Sequence, residues 1–271
     1  MKKNKTWMLP LMIVISIAHI IPFYLLLTTS LKGMGDTSSK WLLPSSWSVD
    51  NFKEVWEQAH LQSAFFNNVI ITAVSVVLVI ILGSFAAYPL ARYKTRLNKS
   101  MYLIFISALI VPPLTILVPL YKFIVDIGGM NSYWAIILLH VTFNLPMTIF
   151  LFTGFISTIP QELDEAAMMD GMSRFGLFFR IIMPLLKPVT ATVTILTGVN
   201  VWNDYQFSVF FLQSTEAKTV TVSLAAFFSQ YTNNVGWVAS GSLLAALPII
   251  VLYLFLQKYF ISGLSSGAVK G

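Results

Sequence analysis

Six stretches of roughly 20 or more predominantly apolar residues recur along the chain, each long enough to cross the hydrocarbon core of a bilayer as a helix. They lie near 7–29, 66–91, 101–125, 133–156, 185–205 and 240–261. Nothing else in the sequence constrains the fold as tightly. The composition agrees: 56% of residues are hydrophobic, only 10% are charged, and mean hydropathy is +0.77, against about 25% charged residues in soluble domains. The expectation is an all-α, polytopic membrane protein with six transmembrane helices. The first stretch follows a basic start, as a signal peptide would, but it is too long for an h-region and no small-x-small cleavage site follows. It reads as an uncleaved span.

Basic residues set the orientation. With a cytoplasmic N-terminus, Lys2, Lys3, Lys5, Arg92, Lys94, Arg96, Lys99, Arg174, Arg180, Lys187, Lys258 and Lys270 fall inside, and Lys32, Lys40, Lys53, Lys122 and Lys218 fall outside or near that face. That asymmetry is the positive-inside bias, and it places both termini in the cytoplasm. The formal net charge of +6 is thus explained by the membrane, and no basic run interleaved with aromatics points to nucleic acid. The chain has no cysteine, which removes disulfides, thiolate metal sites and cysteine nucleophiles together. Outside, the stretch 31–62 carries Trp41, Trp47 and Trp56 and predicts an ordered interfacial segment with a short helix from Asn51.

One cytoplasmic segment, 157–184, does not look like a membrane connector of the ordinary kind. It contains "DEAAMMDGMSRFGLFFRIIMP". Ser157 or Thr158 can cap a helix with Pro160 in its first turn, and Glu162, Asp164 and Glu165 then sit where the helix dipole favours acids. Leu163, Ala166 and Ala167 form a narrow face of mostly small residues, Gly171 breaks the helix, and a second begins near Ser173 with Phe175, Phe178, Phe179 and Ile182 as its apolar stripe. Two readings stand: an amphipathic connector on the inner leaflet, or a handle whose small residues fit a protein groove.

The same residues resemble the EAA motif of ATP-binding cassette importer permeases. Glu165, Ala166, Ala167, Gly171, Ile181 and Pro184 match it in type and spacing, with Met183 in place of the usual Leu. "NVWNDYQF" from Asn200, "VSLAAFFSQY" from Val222 and the ending from Leu247 are similar to the maltose-type carbohydrate branch. The resemblance implies a type I importer permease fold in the cell (inner) membrane, divided into a first helix and external loop at 1–65, a permease core at 66–261 and a cytoplasmic tail at 262–271. It also implies a coupling helix that docks on a separate ATPase, with Glu165, Ala166, Ala167, Asp170, Gly171, Arg174 and Pro184 as the coupling residues. The implied partners are a homologous permease, two ABC ATPase subunits, an extracytoplasmic solute-binding protein and a carbohydrate. ATP and Mg would belong to the ATPase, with no cofactor on this chain.

Independently, no G-x-x-x-x-G-K-[ST] string exists here to cradle phosphates, and "GLSSGAVKG" from Gly263 lacks the spacing. Intramembrane acids expected of an ion-driven carrier are missing, since Asp204 is the only acid within a predicted span and sits at its outer end. Asn200, Asn203 and Asp204 fall at i, i+3 and i+4 of the fifth stretch, where, with Tyr205, they are candidates to line the substrate pathway or to bond neighbouring helices. Its threonines suit either a water-facing surface or bonds back to their own helix. His19 and His140 have no ligand at helical spacing, so a metal is not expected and bundle hydrogen bonds are. Pro112, Pro113, Pro119 and Pro146 should kink or interrupt helices. A permease for a non-sugar solute and a membrane scaffold are the competing assignments.

Overall fold

The computed structural model describes residues 8–33, 35–231 and 234–268, which are helices and their connections apart from one antiparallel bridge between Lys32 and Trp47. In order these are α1 (Met8–Ser30), α2 (Asp50–Gln58), α3 (Leu61–Arg92), α4 (Arg96–Ala108), α5 (Leu117–Asp126), α6 (Tyr133–Ile156), α7 (Glu162–Met169), α8 (Arg174–Leu177), α9 (Met183–Leu185), α10 (Lys187–Trp202), α11 (Gln206–Phe211), α12 (Val220–Gln230) and α13 (Val235–Ala268). Among the described residues α1, α3, α6 and the part Val235–Gln257 of α13 are long and apolar enough to cross a membrane unaided. Two bent pairs bring the number of possible spans to six. The tail expected at 262–271 leaves the described residues after Ala268, up to which α13 stays helical.

The helix expected without interruption over 101–125 is broken. α4 and the stretch Pro113–Asp126, a 3-10 turn followed by α5, meet at 90°. Pro112 is extended (φ −67°, ψ 129°), because the proline that follows it disfavours the helical region and neither ring carries an N–H for the ladder. A second bend, of 74°, lies at the start of the fifth stretch, between Arg174–Leu185 and α10. A π-helical turn at Phe178–Ile182 precedes Pro184, and Pro184 and Pro188 both occupy first-turn positions where a missing N–H costs nothing. Pro119 and Pro146 sit inside α5 and α6 without ending them.

Contacts divide the chain into two compact units, residues 1–65 with 220–248 and residues 66–219 with 249–271. In the first unit the outer end of α1 is tied to its loop: Thr28 donates to the Lys40 carbonyl at 3.0 Å, and Asn51 on α2 donates to the carbonyls of Ser30 and Lys32 at 3.0 and 2.7 Å. Buried Lys32 gives its ammonium protons to the Ser38 and Ser39 carbonyls. Asp36 accepts from Ser38 and Ser45, and these bonds hold its carboxyl below the usual range. Trp41 and Trp47 stay exposed, as headgroup-level aromatics do.

The second unit is built around α6, whose Ile136, Ile149, Phe152 and Ile156 are fully enclosed. α3 approaches closely because position 83 is glycine: a Cβ there would overlap Thr148 of α6, the small-residue contact on which membrane helices rely. α10 packs on α6 as well. Its Thr192 and Thr194 bond back to the carbonyls of Pro188 and Thr190, while Thr190 and Thr194 also line an open cavity with Met183 and Lys187.

Candidate functional site

The segment 157–184 is a helix, a tight turn and a second helix. Its start differs from expectation, since Ser157 and Thr158 turn back to the carbonyls of Thr153 and Phe155 at 2.8 and 2.7 Å and cap α6. α7 therefore begins after Gln161 without a side-chain cap, its first turn holding Glu162, Asp164 and Glu165. Its end is as the sequence requires. Gly171 has φ +78°, the Met172 N–H reaches the Ala167 carbonyl at 3.0 Å, and the Gly171 N–H reaches Met168 at 3.1 Å. This is the Schellman arrangement, in which a residue without Cβ takes the left-handed position. Ser173 then caps α8 by accepting from Gly176.

Asp164 is not a solvated first-turn acid. It is 7% exposed and accepts from Arg92 twice, Nε to Oδ2 at 3.0 Å and Nη2 to Oδ1 at 2.9 Å, and from the Tyr88 hydroxyl at 2.8 Å. Arg92 Nη1 also donates to the carbonyls of Ile159 and Ile156 at 2.7 and 3.3 Å. One guanidinium thus joins the end of α3, the end of α6 and the start of α7. A planar fork matched to a carboxylate is the geometry Arg provides and Lys does not. Next to this clasp Phe85 of α3 stacks on Phe178, with centroids 4.8 Å apart, and meets Phe179 edge-on at 5.5 Å.

Of the residues the sequence singles out, Glu165, Ala166, Asp170, Gly171 and Arg174 lie on the exposed side of this segment, with Arg174 over the Tyr93 ring at 5.9 Å. Pro184 is exposed at the mouth of the cavity beside Lys187. Ala167 departs from the expected docking face. At 4% exposure it belongs to the chain's own core, because the helix must bury one face against α8. The most exposed apolar residues here are Met169, 84% exposed, and Phe175, 72% exposed, while Leu163 of the expected face also stays exposed.

At the opposite end of the unit α10 stops at Trp202, with Asn203 as its C-cap. Asn200, Asn203 and Asp204 consequently do not continue along one helical face. Asp204 instead accepts from the Phe207 and Ser208 N–H groups at 3.1 and 2.8 Å and from the Ser208 hydroxyl at 2.7 Å, satisfying the first turn of α11. Its Oδ2 lies 3.8 Å from Nε2 of buried His140. Asn200 accepts from Asn144 at 3.3 Å, Asn203 bonds back to the Val199 carbonyl, and Asn200, Asn203 and Tyr205 are exposed. Three asparagines that sequence reading passed over hold the neighbouring chain. Asn67 donates to the Glu216 and Lys218 carbonyls, Asn68 to the Trp202 carbonyl, and Asn131 accepts from the Gln213 and Ser214 N–H groups. Their only signals were an asparagine pair near the start of an apolar span and, for Asn131, a place in the polar turn between two spans.

A family model described as binding-protein-dependent transport system inner membrane component matches residues 79–266, which takes in the Arg92 clasp, the segment 157–184 and the α10–α11 junction. The chain belongs to this family. It is an inner-membrane transport component that crosses the bilayer several times. The melibiose/raffinose/stachyose import permease protein MelC of Bacillus subtilis (strain 168) is 54% identical over 259 residues, covering 95% of this chain and 94% of that protein. The probable ABC transporter permease protein YurM of the same organism is 35% identical over 271 residues, covering 99% and 89%. Among solved structures, a bacterial ABC transporter involved in the import of the acidic polysaccharide alginate has a chain with a TM-score of 0.81 to this one, at 20% identity, covering 96% of this chain and 98% of that one. That likeness shows the fold.

Proposed function

We propose that this transport component is the permease subunit of an ATP-driven importer for an oligosaccharide of the melibiose, raffinose and stachyose kind. The observation that carries the substrate class is the 54% identity with the MelC permease over nearly the full length of both chains. In this reading the four unbroken helices and the two bent pairs make six spans with both termini in the cytoplasm, as the distribution of Lys and Arg favours. The chain forms half of the translocation pathway with a homologous permease, receives substrate from an extracytoplasmic binding protein and works by alternating access. Two ABC ATPase subunits hold ATP and Mg and supply the energy, so no catalysis is assigned to this chain.

The docking handle is the segment around α7. Glu165, Ala166, Asp170 and Arg174 present polar and small groups, Met169 and Phe175 present adaptable apolar ones, and Gly171 fixes the angle between α7 and α8. Asn200, Asn203 and Tyr205 are the pathway candidates with groups free to face a sugar, through amide hydrogen bonds and ring stacking. Asp204 acts by shaping the turn that carries them. Uptake of labelled sugars by the complete complex in proteoliposomes tests the assignment. ATP-dependent uptake of melibiose, raffinose or stachyose is expected. Uptake of a non-sugar solute with none of any sugar would overturn the substrate class, and uptake without ATP would overturn the mechanism.

A further inference from the structure

α3 touches both places where this transport component must act. At its inner end Phe85, Tyr88 and Arg92 share one helical face by their spacing, and together they grip the coupling segment at two points, Asp164 on α7 and Phe178 on the π-helical turn. Toward its outer end Asn67 donates to the Glu216 and Lys218 carbonyls at 2.7 and 2.9 Å, and Asn68 to the Trp202 carbonyl at 3.1 Å. Those carbonyls bracket the segment 203–217, which carries Asn203, Asp204 and Tyr205. Between Asn67 and Arg92 the helix runs without a break, with Pro89 inside its last turn, and at the α-helical rise it is about 38 Å long.

Besides α6, whose end Arg92 also holds and whose Asn144 and His140 meet Asn200 and Asp204, a route between the two places runs along the backbone from α8 through α10. It contains the π-helical turn and the 74° bend, so a push at its inner end is absorbed as a change of angle. We propose that α3 is the strut that carries movement of the coupling segment to the outer segment 203–217, with Arg92, Tyr88 and Asp164 as positioning residues at one end and Asn67 and Asn68 at the other. This rests on the assignment of 157–184 as the docking handle. The inner joint suits the task. A bidentate charged pair resists both sliding and rotation, and Arg92 also holds the end of α6, so α7 cannot shift while α3 stays still. The outer joint is neutral: the two amides donate to backbone carbonyls at the end of α10 and in the loop after α11.

The test uses the whole complex in proteoliposomes, with the partner subunits cleared of cysteine and a fluorophore on Thr215→Cys of this otherwise cysteine-free chain. Sugar moved per ATP hydrolysed and the nucleotide-driven change in fluorescence are read together. In assembled Arg92→Ala complexes ATP hydrolysis should continue while sugar per ATP falls about tenfold, within the range expected for residues that link two sites, and the fluorescence change should vanish. Arg92→Lys, which keeps the charge, should recover part of both, and Asn67→Ala should mimic Arg92→Ala from the other end. Unaltered coupling and fluorescence in Arg92→Ala or Asn67→Ala would overturn the strut. Should Arg92→Ala not assemble, Tyr88→Phe removes one hydroxyl from the same joint and decides by the same two readouts. If the wild-type complex moves no sugar, the functional assignment fails on its own. The strut then stands or falls on whether a nucleotide-driven fluorescence change at 215 exists and is lost in the variants.

Discussion

The segment 157–184 and the segment after Trp202 are both short stretches of one compact unit, yet they are secured in different ways. The first is fixed by a bidentate ion pair and a stack of phenylalanines, the second by asparagine amides and a carboxylate that caps its own helix. Arg92 is buried, and its charge is met by the Asp164 carboxylate and by the Ile156 and Ile159 carbonyls. The amides carry no charge to desolvate. In both places the residues that anchor the segment are distinct from those it offers outward. Arg92, Asp164, Ala167 and Asp204 hold; Ala166, Met169, Asn203 and Tyr205 present. An anchor substitution should therefore destabilise the chain itself, and a presenter substitution should leave it standing and harm only what it meets.

The largest effect should come from Ala167→Arg. A long charged side chain has no room and no partner in the core formed with Leu177 and Phe178, and the cost should be on the order of 3 kcal/mol or more. The expected outcome is a marked fall in the thermal midpoint of the purified protein and in its level in the membrane. A normally stable Ala167→Arg protein would erase the distinction between anchor and presenter on α7.

Asp204→Ala should follow, at about 1 to 3 kcal/mol, because the Phe207 and Ser208 N–H groups lose their acceptor. Asp204→Asn keeps a carbonyl oxygen and should recover most of that stability. If Asn restores stability while uptake stays lost, the carboxylate itself serves the pathway and Asp204 moves to the presenting side. Gly171→Val comes next. Nothing lies within 4 Å of the Cβ it would add, so the penalty is the left-handed backbone alone, about 1 to 2 kcal/mol. Gly171→Asn, which tolerates that conformation, should be milder in a thermal melt, and equal losses would point to a hidden contact.

How much of this could be read from the sequence depends on the reach of each interaction. α6 is found at the residues expected, 133–156, since its apolar run is continuous and its ends are marked. The turn at Gly171 and the cap at Ser173 are local, involving residues a few positions apart, and spacing alone reveals them. The clasp is not legible, because Arg92 and Asp164 are 72 positions apart and nothing in either neighbourhood names the other. The shared helical face of Asn200, Asn203 and Asp204 is absent for a different reason. Helical spacing at 200, 203 and 204 assumes the helix continues, whereas Asp204 ends that assumption by bonding forward to α11 instead of outward. The break at Pro112 and Pro113 was visible as a proline pair, but its angle depends on packing.

The smallest effect on the chain, and the one that isolates docking, belongs to Ala166→Arg. Ala166 is exposed and adjoins Ala167 on a helix whose other face is already buried, so the substitution should change the stability of the purified permease by no more than about 0.5 kcal/mol. It also adds positive charge on the proposed cytoplasmic side, where the insertion bias already favours it. Whatever it harms must therefore lie outside the chain. If α7 seats in a groove on the ATPase, the added side chain should abolish assembly or sharply reduce sugar uptake despite a normal melt. Ala166→Cys in this cysteine-free chain should also form a disulfide to a cysteine placed in that groove. An amphipathic connector lying on the inner leaflet makes the opposite forecast on both counts. A new arginine would strengthen its hold on anionic lipid, uptake would be unchanged, and no cross-link to an ATPase would appear.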